Sequence, residues 1–203
     1  RAGNRRAPPD RRMTLYLTTH AGKSRTTLQQ ILARHTGHTD FRCGTAPGGK
    51  PYAVSDSFST PLYFSLSHSG AYLALLIHEY PVGIDLQLHV PLRTEKLAKR
   101  WFHPAEYVAW TSGFSDADRF FSLWTAKEAY GKYLGCGLSP IYRSISVLSV
   151  PEVLCLLPCL PGYTLCFCTA VPAPVTVVVD PTVSGYIAAE PVSLCDAIIK
   201  TLL

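Results

Sequence analysis

The sequence has no apolar run of membrane-spanning length without a proline or polar break, and no signal-type apolar segment follows its first arginines. A membrane-embedded chain is not expected; the composition fits a cytoplasmic one. Charged residues are few, at 16%, whereas 47% of the residues are hydrophobic. That balance excludes a disordered chain and suits a buried core. The body also lacks an excess of either charge. Most of the +5 net charge sits in residues 1–12, where Arg1, Arg5, Arg6, Arg11 and Arg12 face a single Asp10. A nucleic-acid partner needs a basic body, so none is expected. Residues 1–12 read as a disordered basic tail, and Met13, the single methionine, as a natural start. The seven cysteines form no framework, and neither Cys155-x3-Cys159 nor Cys166-x-Cys168 has a histidine nearby. They read as buried reduced thiols.

What is present alternates between strand and helix signals. Leu15–Leu17 reads as a strand, and Ser24 as the N-cap of a helix running through Leu28, Ile31 and Leu32 towards Gly37. Residues 46–51 are a loop by composition. Strands are predicted at Tyr72–Ile77, Val82–Leu86, Ile145–Val150, Tyr163–Val171 and Val175–Val179. Helices are predicted at Thr94–Trp101, from Pro104 through Trp110, and over Val192–Leu203. No residue-level repeat is present. The pattern alone gives a mixed α and β chain.

The most informative stretch is Trp124-Thr125-Ala126-Lys127-Glu128-Ala129-Tyr130-Gly131-Lys132. It reads as a helix capped by Ser115 or Asp116, anchored by Phe120, Phe121 and Trp124, and stopped by Gly135 and Gly137. Glu128 and Lys132 share a face at i, i+4 spacing, with Lys127 on a neighbouring flank. A carboxylate held by such an anchored helix needs a cation, and Lys127 is expected to serve phosphate rather than a buried ion pair.

Two further stretches precede it: Ser65-Leu66-Ser67-His68-Ser69-Gly70 and Val82-Gly83-Ile84-Asp85-Leu86-Gln87. The ordered trio of Ser-His-Ser, Gly-Ile-Asp and Trp-Thr-Ala-Lys-Glu-Ala motifs resembles the 4'-phosphopantetheinyl transferase superfamily of the Sfp type. The separations, 17 residues from His68 to Asp85 and 43 from Asp85 to Glu128, also resemble that family's. The likeness spans roughly residues 13 to 171.

The resemblance implies an α+β fold of two similar halves in a pseudo-two-fold arrangement, with the active site between them. Residues 13–95 and 96–203 would be those halves. It implies a Mg2+-dependent, monomeric enzyme that transfers 4'-phosphopantetheine from coenzyme A to a carrier-protein serine. Asp85, Gln87 and Glu128 would hold the metal, with Glu128 and Lys132 acting in catalysis. Arg25, Thr26, Gly49, Lys50, Pro51, Ser67, His68 and Lys127 would hold coenzyme A. The segment His103–Tyr107 resembles the family's carrier-docking region, next to basic Lys96, Lys99 and Arg100. Gln87 departs from the carboxylate that many members carry there, so it brings no charge to the metal. A related but non-catalytic carrier- or coenzyme A-binding module is the alternative reading.

Overall fold

In the structure, a computed structural model, residues 12–46, 49–112, 117–136 and 140–200 are described. The elements in chain order are β1 (Met13–Thr19), α1 (Ser24–Thr36), β2 (Arg42–Thr45), β3 (Pro51–Ser55), β4 (Phe58–Ser69), β5 (Tyr72–His78) and β6 (Val82–Leu88). Then come α2 (Thr94–Trp101), α3 (Pro104–Thr111), α4 (Ala117–Leu134) and a 3-10 turn at Pro140–Arg143. The chain continues with β7 (Val153–Leu156), β8 (Tyr163–Thr169), β9 (Val175–Val179), β10 (Val192–Ser193) and α5 (Leu194–Lys200). This is an α+β fold. One sheet has the order β2-β3-β4-β5-β1-β9 and the other β10-β7-β8-β6. A strand, a helix and a hairpin recur: β1 lies beside β5 and β4, as β6 lies beside β8 and β7.

The two sheets face one another. Leu15, Leu17, Ala74 and Leu76 of the first pack against Ile84, Leu86, Leu165 and Phe167 of the second. On the outer face of the first sheet, Ile31 and Leu32 of α1 meet Leu73, Leu75 and Ile77. On the outer face of the second, Phe120, Leu123, Ala126 and Ala129 of α4 meet Cys166 and Cys168. Alternate residues of β5 therefore enter different cores, and the strand is apolar from Leu73 to Ile77 because both of its faces are covered.

Most predicted elements are present; Val192 and Ser193, expected in the terminal helix, instead pair with β7 as β10, and four further differences occur. Helix α1 is capped at Lys23 with no side-chain cap bond, and Ser24 is its first residue. Residues Ile145–Val150 form turns and not a strand. Ser146 organises them by accepting the Leu148 amide at its hydroxyl and the Ser149 amide at its carbonyl. The strand lies further on, at β7. The expected loop over 46–51 ends in β3, which pairs with β2 from Pro51 onward and with β4 from Tyr52. All seven cysteines are free thiols, but Cys43, Cys136 and Cys195 are exposed. The expected helix cap at Ser115 or Asp116, Gly48, Gly137, residues 201–203 and the tail before Arg12 lie outside the described residues. No helix among the described residues is long and apolar enough to cross a membrane.

Candidate active site

Strand β6 and helix α4 lie so close that only glycine fits at position 83. A Cβ there would strike the Ala129 carbonyl and the Tyr133 amide of the helix backbone. Side chains alternate along a strand, so Asp85 and Gln87 share the Gly83 face and point towards α4. One turn apart on the helix, Glu128 and Lys132 point back. The glycine of the Gly-Ile-Asp motif is thus a spacer that sets two carboxylates and a lysine against one another.

Asp85 is buried, at 5% exposure. Its Oδ1 accepts from Lys132 Nζ at 2.8 Å and from the Ser67 hydroxyl at 2.7 Å. Its Oδ2, also buried, has no hydrogen-bond partner among the described residues. Glu128 is half-buried; burial, then the Asp85 charge, push its carboxyl up to about 7 against the opposing pull of Lys132. Two neighbouring carboxylates that compete for one ammonium form a site short of positive charge.

Lys50 joins the same place from the first sheet. Its ammonium donates to the Lys132 carbonyl at 2.6 Å, near the C-terminal end of α4, where cations are favoured. Burial pushes Lys50 down to about 8, and the Lys132 charge adds to the effect. Gly49, Lys50, Pro51, Ser65, Lys132 and Gly135 line a cleft of about 280 Å³. The loop, the serine strand and the organising helix therefore converge.

Other predicted residues lie elsewhere. His68 is exposed on the face of β4 opposite to Ser67, and its ring stacks on His20 at 4.2 Å. Burial, then His20 and Lys132, lower its pKa. Arg25 and Thr26 are exposed in the first turn of α1. Gln87 is half-buried, and its amide donates to the Leu88 carbonyl at 3.3 Å.

Lys127 requires a correction. It is 3% exposed, and its ammonium donates to Glu106 Oε1 at 2.9 Å, to the Tyr142 carbonyl at 2.6 Å and to the Ile145 carbonyl at 2.9 Å. Glu106 Oε2 lies 2.8 Å away as well. An ammonium enclosed by these acceptors cannot also bind phosphate. Glu106, completely buried, takes the Val147 amide at 2.8 Å and the His103 amide at 2.8 Å besides. Glu106 is thus a structural anchor within the segment expected to dock a carrier. Its signal in the sequence is the capping pattern of His103-Pro104-Ala105-Glu106.

Tyr142 carries no signal in the sequence at all. Its buried hydroxyl occupies the notch left by Gly131, where a Cβ would clash with it, and it has no partner among the described residues. Burial, then the Glu128 charge, raise its pKa far above the usual tyrosine range, with Asp85 contributing.

The profile of the 4'-phosphopantetheinyl transferase superfamily matches residues 81–167, the stretch from β6 through most of β8. The 4'-phosphopantetheinyl transferase ffp of Bacillus subtilis is 30% identical over 173 residues, covering 73% of this chain and 75% of that protein. The chain belongs to the 4'-phosphopantetheinyl transferase superfamily. Within the superfamily, the Sfp protein of Bacillus subtilis strain 168 is 35% identical over 111 residues, 54% of this chain and 48% of that one. HetI of a Nostoc species is 36% identical over 122 residues, 58% of this chain and 51% of that one. The chain spans about half the length of several of these superfamily relatives, among them a Bacillus subtilis transferase of which 46% is matched.

The donors fit a hard divalent cation. Asp85 Oδ2 is an unshared buried carboxylate oxygen, and Glu128 is a second carboxylate destabilised by the first. No group of three or more His, Cys, Asp or Glu side chains that could hold a metal occurs among the described residues. Two carboxylates would leave most of the coordination shell to ligand oxygens and water, as is usual for Mg2+.

Proposed function

We propose that the chain transfers the 4'-phosphopantetheine arm of coenzyme A to a serine of an acyl or peptidyl carrier protein, releasing adenosine 3',5'-bisphosphate. The observation that carries this reading is the convergence of Asp85, Glu128, Lys132 and Lys50 beside one cleft. A pyrophosphate needs cations around it, and a hydroxyl nucleophile needs a nearby base.

Asp85 and Glu128 would hold Mg2+, which supplies charge neutralisation for the pyrophosphate when bound. Lys132 would leave Asp85 for a phosphate oxygen, and Lys50 stands behind it at the cleft wall. Glu128 is pushed up to about 7 in the metal-free protein and would be lowered by bound Mg2+, so it would act as the base directly or through a water. It would take the proton of the carrier serine as the serine oxygen bonds to the β-phosphorus. The bond from that phosphorus to the bridging oxygen breaks, and the leaving adenosine bisphosphate keeps the electron pair. The lysines stabilise the charge that develops there. His68, with His20 stacked on it, would receive the 3'-phosphate of coenzyme A, and Arg25 and Thr26 would contribute from α1.

The carrier would dock on the outer surface of α2 and α3. Lys99, Tyr107, Val108 and Arg143 line a cavity of about 310 Å³ there, and Val108 is 61% exposed. An apolar groove with a basic rim suits an acidic helix-bearing carrier. The reading is of a monomer acting in the cytoplasm. A second reading, a binding module without turnover, is favoured by one observation: Gln87 stands where a third carboxylate would complete the metal set.

The test is incubation with coenzyme A, Mg2+ and a panel of apo carriers, followed by intact-mass measurement. Expected is a carrier that gains phosphopantetheine. Asp85→Ala and Glu128→Ala should each lower the rate by roughly 10²-fold or more, the scale for removing a charge-stabilising group. Carriers that bind but never gain mass would establish the module instead.

A further inference from the structure

Strand β4 presents three serines at alternate positions, 65, 67 and 69, and all three hydroxyls reach β6 across the seam between the sheets. Ser65 accepts the Ile84 amide at 3.0 Å, and Ser69 accepts the Leu88 amide at 2.9 Å. Each bond spans 19 positions, so the same register sets Ser67 opposite the Leu86 amide. Ser67 breaks the series and donates to Asp85 Oδ1 at 2.7 Å.

We propose that Ser67 is a positioning residue that gives the two oxygens of Asp85 different tasks, tethering Oδ1 within the protein and reserving Oδ2 for the divalent cation. The inference rests on the transferase reading of the site and goes beyond it, because it removes Ser67 from the coenzyme A contacts that the family resemblance implies. A carboxylate is two-fold about its last torsion and would otherwise present either oxygen. Here both donors, Ser67 and Lys132, fall on the same oxygen. The other oxygen is buried with no hydrogen-bond partner among the described residues. Ser67 itself is 5% exposed, whereas its neighbour His68 points to the opposite face of β4 and is exposed there. A hydroxyl enclosed in the seam is placed to orient a ligand, and poorly placed to touch a nucleotide. Lys132 can leave Asp85 for a phosphate oxygen when coenzyme A binds; Ser67 then remains as the tether. Hydrogen bonds to metal-binding carboxylates act in this way, and their loss costs roughly 10–100-fold in metal affinity.

The experiment measures Mn2+ binding by the loss of the free-ion EPR signal, with the full chain alone and with coenzyme A. Wild type, Ser67→Ala and Ser69→Ala are compared, the last removing a neighbouring seam bond that does not touch Asp85. Coenzyme A affinity is measured separately by calorimetry in EDTA. Expected for Ser67→Ala is Mn2+ binding weakened roughly 10–100-fold, with metal-free coenzyme A affinity unchanged; Ser69→Ala should bind Mn2+ as wild type does. Unchanged Mn2+ binding with weakened coenzyme A binding would overturn the proposal and make Ser67 a nucleotide contact. Equal Mn2+ losses in both variants would overturn it too, as a general loosening of the seam. Should Ser67→Ala not fold, Ser67→Cys keeps the volume and weakens the donor, and a smaller loss in the same direction is expected. A wild-type chain that binds no Mn2+ in either state also overturns the proposal. Normal Mn2+ binding without any transfer would count against the functional reading alone.

Discussion

Helix α4 carries two lysine–carboxylate pairs on different faces, and they are built to opposite specifications. Glu106–Lys127 is closed: the carboxylate is completely buried, the lysine is 3% exposed, and both Glu106 oxygens are engaged by Lys127 and by backbone amides. Asp85–Lys132 is open: its lysine side chain is 29% exposed, one Asp85 oxygen takes two donors and the other takes none among the described residues. A saturated pair has nothing left for a ligand and holds structure. An unsaturated pair beside Glu128 retains capacity for a metal or a phosphate. Saturation, more than proximity to the motif, separates the structural lysine from the one proposed to act on the ligand.

The largest expected effect tests that division directly. Lys127→Ala leaves Glu106 charged and buried, and should lower unfolding stability by about 3–5 kcal/mol. Lys132→Ala should cost about 1–2 kcal/mol, because Ser67 still binds Asp85 and water can enter. Transfer should behave in the reverse order once the fold is controlled for, with Lys132→Ala the more damaging. Urea titration of both variants, alongside transfer rates well below their unfolding midpoints, checks this. Equal stability losses would erase the distinction.

Why this distinction is hidden in the sequence follows from where the partners come from. Phe120, Phe121 and Trp124 announce a buried helix, and the Gly-Ile-Asp and Lys-Glu-Ala motifs announce a facing pair; these signals are local. Lys127, by contrast, is completed by Glu106, 21 residues earlier, and by carbonyls 15 and 18 residues later. Nothing in the motif itself distinguishes it from Lys132. The misreading of Ile145–Val150 as a strand has the same origin. Its β-branched residues suit a strand, but the Ile145 carbonyl and the Val147 amide are drawn to Lys127 and Glu106, and the chain turns around that pair. The role of Ser67 was equally illegible, since its register against β6 exists only once the two sheets face each other.

A smaller effect concerns pH. In the metal-free protein Glu128 is raised from 4.5 to about 7, chiefly by burial and then by Asp85. The folded state therefore binds more protons than the unfolded state across that window. The stability this group contributes is complete below about 4.5 and is lost as pH rises through about 7. Glu128→Gln removes the dependence. In EDTA at pH 8 its Tm should exceed that of wild type by roughly 2–4 °C, the shift that 1 kcal/mol produces in a chain of this size. At pH 5 the difference should nearly vanish. Saturating Mg2+ and coenzyme A should reverse the sign at pH 8, because only wild type gains the full binding energy. A constant difference at both pH values would place Glu128 outside the influence of Asp85 and leave the open pair with a single carboxylate.

The smallest effect concerns Gln87, two positions beyond Asp85 on the same face of β6. Its amide makes one long bond to the neighbouring Leu88 carbonyl, which holds the side chain only loosely. A neutral oxygen there can meet a bound ion or its water without adding charge, and metal should bind chiefly together with coenzyme A. Gln87→Glu adds a carboxylate whose attraction for the divalent ion is about 2 kcal/mol at ~4 Å in a water-like medium, roughly halved by salt screening. Half-saturating Mg2+ for transfer should therefore fall roughly two- to fivefold. Turnover at saturating Mg2+ should not change, because the added attraction acts on ground and transition states alike. Gln87→Ala serves as the control, and transfer rates across a Mg2+ series for the three proteins supply the measurement. If all three reach half-saturation at the same Mg2+ concentration, Gln87 faces away from the ion. The open site would then consist of Asp85, Glu128 and Lys132 alone, with ligand phosphate and water completing the metal's shell.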